Sequence, residues 1–157
     1  MSEMINVIDW ERIRHFEPSE YTHPDRMDSM AVQMMDAMRH EEDLYRRKAG
    51  KNGIIITLDE TYALRPKNPK SQHPKGKAQD AVIRDAVTRE PLDVFEQFLI
   101  ASRYFWTGIG FYPFWNNPGI HVDTRTLSIY QRRATWWRDK DGKYLNVEQY
   151  LSQRMIL

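Results

Sequence analysis

The chain has no cysteine among its 157 residues. That excludes a disulfide scaffold, a thiolate metal site and a cysteine nucleophile, so any metal must be held by histidine and carboxylate. It also lacks an apolar run near the ~18–20 residues that a membrane span needs, so no membrane partner is expected. Met1 to Phe16 interleaves Glu3, Asp9, Glu11, Arg12 and Arg14 and has no apolar core, which argues against a secretory signal. Charge of one sign is missing as well. The net charge is +1, and with no nucleic-acid motif present, nucleic acid is not an expected partner. No repeat, linker or low-complexity tract is visible.

The remainder is ordinary for one globular domain. Hydrophobic residues make up 41%, charged residues 29% and aromatics 12%, enough for an aromatic-rich core. A single domain over 1–157 is expected, with residues 1–22 as an arm that docks through Trp10, Ile13 and Phe16. Pro24 fits a helix start. Met27, Met30, Ala31, Met34, Met38 and Tyr45 recur at helical spacing, predicting a core-facing stripe that runs to about Ala49 and stops at Gly50. Gly53 to Thr57 reads as a buried strand. A proline-bearing loop follows, then a strand over Ala78 to Arg84. Pro91 opens a second helix with Leu92, Phe95, Phe98, Leu99 and Ser102 on one face. Strands are expected at Gly108 to Tyr112 and Ile120 to Arg125. Asp141-Gly142 predicts a hairpin joining Ala134–Arg138 to Tyr144–Val147, and a short helix follows from Val147. Helices and strands in this order favour an α+β fold with an antiparallel sheet and flanking helices.

Two stretches carry chemistry. Ser71-Gln72-His73-Pro74-Lys75-Gly76-Lys77-Ala78-Gln79-Asp80 sets a histidine and an aspartate on either side of a turn. Gly119-Ile120-His121-Val122-Asp123-Thr124-Arg125 sets a histidine and an aspartate two apart in a strand. His73, Asp80 and His121 together form a two-imidazole, one-carboxylate set that suits a divalent ion with an open position. Strand alternation projects His121, Asp123 and Arg125 from one face. Asp123 is then a candidate general base or an orienting partner for a ligand histidine, and Arg125 a candidate for holding a substrate carboxylate. His15, His23 and His40 read as structural. Trp136 and Trp137 point to opposite faces, so at most one is free to stack on sugar.

The pattern Ser-x-His-x-x-Gly-x-Ala-x-Asp at 71–80, with GIGFYP and GIHVDTR after it, resembles the zinc D-Ala-D-Ala carboxypeptidase and L-alanyl-D-glutamate endopeptidase family. That group includes phage endolysin peptidases, VanX- and VanY-type dipeptidases and the hedgehog-type fold. The likeness is greatest to members ending in HVD-x-R. It implies a compact α+β domain, one zinc ion on His73, Asp80 and His121, and hydrolysis of peptidoglycan stem peptides or cross-links. It also implies roles for Arg65 or Arg125 as the substrate-facing charge, and substrate contacts at Tyr62, Ser71 and Lys75. Two positions depart from the family pattern. Pro118 stands where many members carry a carboxylate three residues before the last histidine, and Ala63 stands where they carry an arginine. The absence of a signal suggests a phage or prophage lysin that is made in the cytoplasm and reaches the wall through a holin or in the virion, as a monomer. The alternative is a zinc-containing virion or binding module without activity.

Overall fold

Among the described residues a single sheet carries every strand. Its order is β1 (Ile54–Leu58), β2 (Ala78–Asp85), β4 (Gly119–Asp123), β3 (Gly108–Tyr112), β5 (Ala134–Arg138) and β6 (Tyr144–Leu145). All neighbours pair antiparallel except β3 and β5, which run parallel. Three helices complete the α+β domain: α1 (Ser29–Lys48), α2 (Val94–Ser102) and α3 (Val147–Met155). The structure is a computed structural model and describes residues 7–59 and 71–155. No described helix is long and apolar enough to cross a membrane.

The sheet is two-faced. Ile54 and Ile56 on β1, Ala81 and Ile83 on β2, Ile109 and Phe111 on β3, Ile120 and Val122 on β4, and Trp137 on β5 are all buried in one apolar cluster with Met35, Met38, Phe98 and Ile100. α1 covers β1, α2 covers β3 and β4, and α3 packs on β5. The alternate residues of the same strands form the opposite face, where Asp80, His121, Asp123 and Trp136 lie.

Both main helices differ from the sequence pattern, for local reasons. Pro24 starts only a one-turn 3-10 helix, Pro24–Arg26. α1 begins at Ser29, because the Asp28 carboxylate accepts from the Ala31 amide at 3.1 Å and so caps that turn. The buried stripe is Ala31, Val32, Met35, Asp36, Met38 and Glu42, while Met30 and Tyr45 of the expected stripe are exposed. A hydrophobic pattern skips Asp36 and Glu42. They are buried because each has a partner: Arg14 for Asp36 and Arg103 for Glu42. In α2, Asp93 is the cap, and Pro91 instead pairs with Arg84 as an isolated bridge. Leu99 is exposed, and the polar Gln97 takes an inward place. Its side chain donates to the carbonyls of Leu92 and Pro118 and accepts from the Ile83 amide. The β5–β6 hairpin forms around Gly142 (φ +82°), as Asp-Gly predicts.

The described part of the amino-terminal arm docks on α1. Phe16 is buried, and Asp36 accepts from the backbone amides of Arg14 and His15. His15 Nε2 lies 2.9 Å from His40 Nδ1. Burial and the charge of Arg39, aided by His40 and Arg14 and opposed by Asp36, hold the His15 pKa below its ordinary value. The unfolded chain therefore binds this proton more readily than the folded one. The contribution of this contact is fully present above the unfolded pKa of ~6.5 and is lost as pH falls below it. His15→Asn is expected to flatten part of the drop in urea midpoint between pH 7.5 and pH 5. An unchanged slope would remove His15 from the acid sensitivity of the fold.

Candidate metal centre

Register builds the site. Asp80 on β2 pairs with His121 on β4, His121 pairs with Gly110 on β3, and Gly110 pairs with Trp136 on β5. These residues form one row across four strands on the polar face. His73 arrives from outside the sheet, on the 3-10 turn His73–Lys75 just before β2. Gly76 ends that turn with φ +68°, a left-handed conformation that glycine adopts without strain. An added Cβ there would strike the Arg26 carbonyl oxygen. The Gly76 carbonyl accepts from the Asp28 amide at 2.9 Å, which fixes the turn against the start of α1.

The three residues converge. His121 Nδ1 is 3.0 Å from Asp80 Oδ1, and His73 Nε2 is 3.4 Å from the same oxygen. The candidate ligand atoms all lie within 4.8 Å of one another, and exposures are 3% for His73, 5% for Asp80 and 6% for His121. A tetrahedral ion with bonds of ~2.0–2.1 Å sets its ligands about 3.3–3.4 Å apart, so the spacing suits an ion with modest adjustment. His73 supplies a second indication. Both of its ring nitrogens are buried, and neither makes a hydrogen bond among the described residues. Burying a polar group unsatisfied costs roughly 1–3 kcal/mol, and an ion at this point would satisfy it. Burial pushes the Asp80 carboxyl up, but the hydrogen bond from His121 and the closeness of the His121 and His73 rings outweigh it and hold the group well below the usual carboxylate range. The group is thus ionised and ready to ligate. This buried cluster can hold a metal ion.

Around the candidate ligands stands a supporting layer. His121 Nε2 lies 2.8 Å from Asp123 Oδ2. With the proton on Nε2, Nδ1 keeps its lone pair for an ion, the usual carboxylate–histidine arrangement. Burial pushes the His121 pKa down, while Asp123 and Asp80 push it up and prevail. Asp123 is itself fully buried. Arg125 Nε reaches its Oδ1 at 2.8 Å and Nη2 its Oδ2 at 2.6 Å, and the Arg125 amide adds a third bond. Against the effect of burial, Arg125 and His121 hold this carboxyl far down.

This geometry divides the expected roles. Asp123, a candidate base or orienting partner, sits as the orienting partner, because both of its oxygens are taken and it has no exposure. Arg125 spends two of its nitrogens on Asp123 and lies over the Trp136 ring at 5.1 Å, instead of reaching outward for a carboxylate. It also lies beyond β4, which ends at Asp123 and not at Arg125. Ser71 Oγ accepts from the His73 amide at 3.3 Å and so shapes the turn. Lys75 is exposed on that turn. Tyr62, Ala63 and Arg65 fall outside the described residues. Pro118 anchors the start of β4 through Gln97.

The sequence leaves one of Trp136 and Trp137 free to stack, but it does not foresee that Trp136 closes the row beside His121. Trp136 lies 5.2 Å from the His121 ring, and its indole N–H donates to Tyr112 Oη at 3.0 Å. It can lie there because Gly110 has no side chain: a Cβ would enter the indole ring. Gly108 likewise leaves room for the Asp123 carboxylate. The available signal was Gly-Ile-Gly, which bares two same-face positions of one strand and calls for something to cover them. The chain matches no known protein-family model, no curated protein and no solved structure.

Proposed function

We propose that the chain is a zinc-dependent peptidase of the hedgehog and D-Ala-D-Ala carboxypeptidase type, hydrolysing peptide bonds in peptidoglycan stem peptides or cross-links. The buried His73, Asp80 and His121 cluster, with Asp123 behind His121, is the observation that carries this reading. Two imidazoles and one carboxylate are a set that zinc accepts, the family resemblance of the motifs favours zinc over the other metals that take it, and three protein ligands leave a position open for chemistry. The family resemblance of the two motifs supports the substrate class. When bound, zinc supplies Lewis acidity toward a peptide carbonyl and toward the attacking water.

The chain's own groups do the rest. Asp80, His73 and His121 hold the ion. Asp123 keeps the proton on His121 Nε2, and Arg125 keeps Asp123 ionised. Trp136 walls one side of the row and keeps water away from His121. A proton acceptor is still required, and Pro118 cannot serve. This reading assigns that task to Asp59. Its amide donates to the Asp80 carbonyl at 2.8 Å, continuing the β1–β2 ladder by one pair, so Asp59 stands opposite Asp80. Directly opposed residues of an antiparallel pair share a face, with Cβ atoms about 4.5–5.5 Å apart. Asp59 is exposed and therefore open to water.

Asp59→Asn is expected to lower kcat by ~100-fold or more, the usual worth of a general base, while zinc affinity stays unchanged. Asp123→Asn is expected to show the reverse balance, with zinc affinity falling by ~10–100-fold. Dialysis titration with a chromophoric chelator, alongside turnover at saturating zinc, separates the two. If Asp123→Asn binds zinc normally yet is inactive, the two roles are exchanged. The reaction itself is tested on purified peptidoglycan, with new amino termini read by mass spectrometry. Cleavage should vanish with chelator and return with zinc. Cleavage that persists in chelator would overturn the metal mechanism, and no cleavage by the zinc-loaded protein would favour a binding module.

A further inference from the structure

A cavity of about 330 Å³ opens on the same sheet face as the metal cluster, one row further along the strands. Its first wall is Tyr112 at the end of β3, with Phe114 and Trp115 from the turn that follows. Its second wall is Arg138 at the end of β5, with Asp139, Lys140 and Asp141 from the β5–β6 turn. Tyr112 and Arg138 follow Gly110 and Trp136 by two residues, so strand alternation sets them on the face that carries His121. The wall is continuous. The His121 ring lies 5.2 Å from Trp136, Trp136 donates to Tyr112, and Tyr112 stacks on Trp115 at 4.1 Å with planes 11° apart. Two strand spacings and two residues separate His121 from Arg138, about 12 Å, or the span of three to four extended residues.

The lining selects a ligand class. Two cations face two carboxylates, and Asp139 is already held in its turn by the amides of Asp141 and Lys143. The cavity therefore has no net field to draw an acidic peptide. Stacked aromatics beside mixed donors and acceptors suit a neutral ring with an apolar face and polar edges. The volume lies at the small end of ligand pockets and fits one such ring, not an oligomer. Phe114, 62% exposed, offers a further apolar surface at the rim.

We infer that this cavity is a saccharide subsite, one that takes an N-acetylhexosamine of the glycan strand between Trp115 and Arg138 while the attached peptide leaves it past Trp136 toward the metal cluster. The choice of sugar rests on the cell-wall reading above; the saccharide class rests on the cavity alone. The substrate is then a glycan-linked peptide and not a free one.

Binding tests this without relying on catalysis. A β-1,4-linked N-acetylglucosamine trimer is titrated into the protein in chelator, with amide chemical shifts as the readout. A glycan-free stem peptide is titrated in parallel. Shifts are expected to centre on Phe114, Trp115 and Gly142 with the saccharide. Affinity should fall about ten-fold in Trp115→Ala and several-fold in the exposed Phe114→Ala, each variant still taking up zinc as proof of its fold. No shift with the saccharide, or the same residues moved by the stem peptide alone, would overturn the subsite. Saccharide binding by a protein whose zinc-loaded form cuts no peptidoglycan would leave the subsite standing and remove the peptidase instead.

Discussion

His73→Ala is expected to abolish stoichiometric zinc uptake and, with it, peptidase activity by ~1,000-fold or more. His73 is one of three candidate ligands among the described residues, and it comes from a turn, so no neighbouring strand residue can replace it. Metal-assisted stabilisation of a transition state is worth several kcal/mol, and each 1.36 kcal/mol is a factor of ten in rate. Stability gives a second signature. A ligand present at 100 times its Kd stabilises a fold by about 2.7 kcal/mol, so chelation should lower the thermal midpoint of the wild type. In His73→Ala that chelator effect should disappear. The metal-free variant, however, should be about as stable as the metal-free wild type, because in the absence of metal both His73 ring nitrogens are buried without hydrogen bonds. Removing the ring relieves that desolvation cost and offsets part of the lost packing. Calorimetry with and without chelator checks both halves. Stoichiometric zinc on His73→Ala would remove it from the site.

The second large effect is expected at a residue that touches no ion. Gly76→Ala adds a methyl to a residue at φ +68° whose Cβ position coincides with the Arg26 carbonyl oxygen. The left-handed conformation costs a non-glycine residue about 1–2 kcal/mol. Overpacking adds about 1–3 kcal/mol, at the upper end here because the obstruction is backbone and cannot rotate away. The expected loss is about 4–5 kcal/mol, out of the ~5–15 kcal/mol that a domain has. Gly50 provides the control. It has φ +73° but nothing within 4 Å of its Cβ position, so Gly50→Ala should show the conformational cost alone. Urea denaturation of the pair isolates the packing part. Equal losses at the two positions would mean that the Arg26 contact yields. Zinc affinity should fall in Gly76→Ala and hold in Gly50→Ala.

These two cases mark how far the sequence speaks. The grouping of His73, Asp80 and His121 was legible, because the three lie in short motifs whose spacing survives folding. The strands were legible too. β1 is a run of isoleucines, β3 and β4 match to within a residue or two, and Asp141-Gly142 announces its hairpin. The phase of α1 was not, because Asp36 and Glu42 are buried by partners from distant segments, Arg14 and Arg103, that no periodicity reveals. The closed state of Asp123 was hidden for a related reason. Alternation placed Arg125 on the same side, but only the end of β4 at Asp123 lets Arg125 fold back across it. The parallel pairing of β3 with β5 lies beyond any local pattern. That pairing brings Trp136 over Gly110, and so it decides which of the two adjacent tryptophans faces the ligands and which enters the core.

The turn that carries His73 is tied at Gly76 to the Arg26–Asp28 segment before α1, while Lys77, next along, accepts from the Thr124 amide just past β4. The Asp28 side chain also reaches Thr124, just past the strand that carries His121. Three stretches far apart in the chain thus meet at one residue that ligates nothing. In kinetic terms, the ion site is completed by a long-range closure and should be among the last features to form. In proteolytic terms, a single nick just after Asp28 should free the segment that holds Gly76 and so weaken a candidate ion site that contains none of the released residues. Bound metal would then be a gauge of whether that segment is still joined to α1.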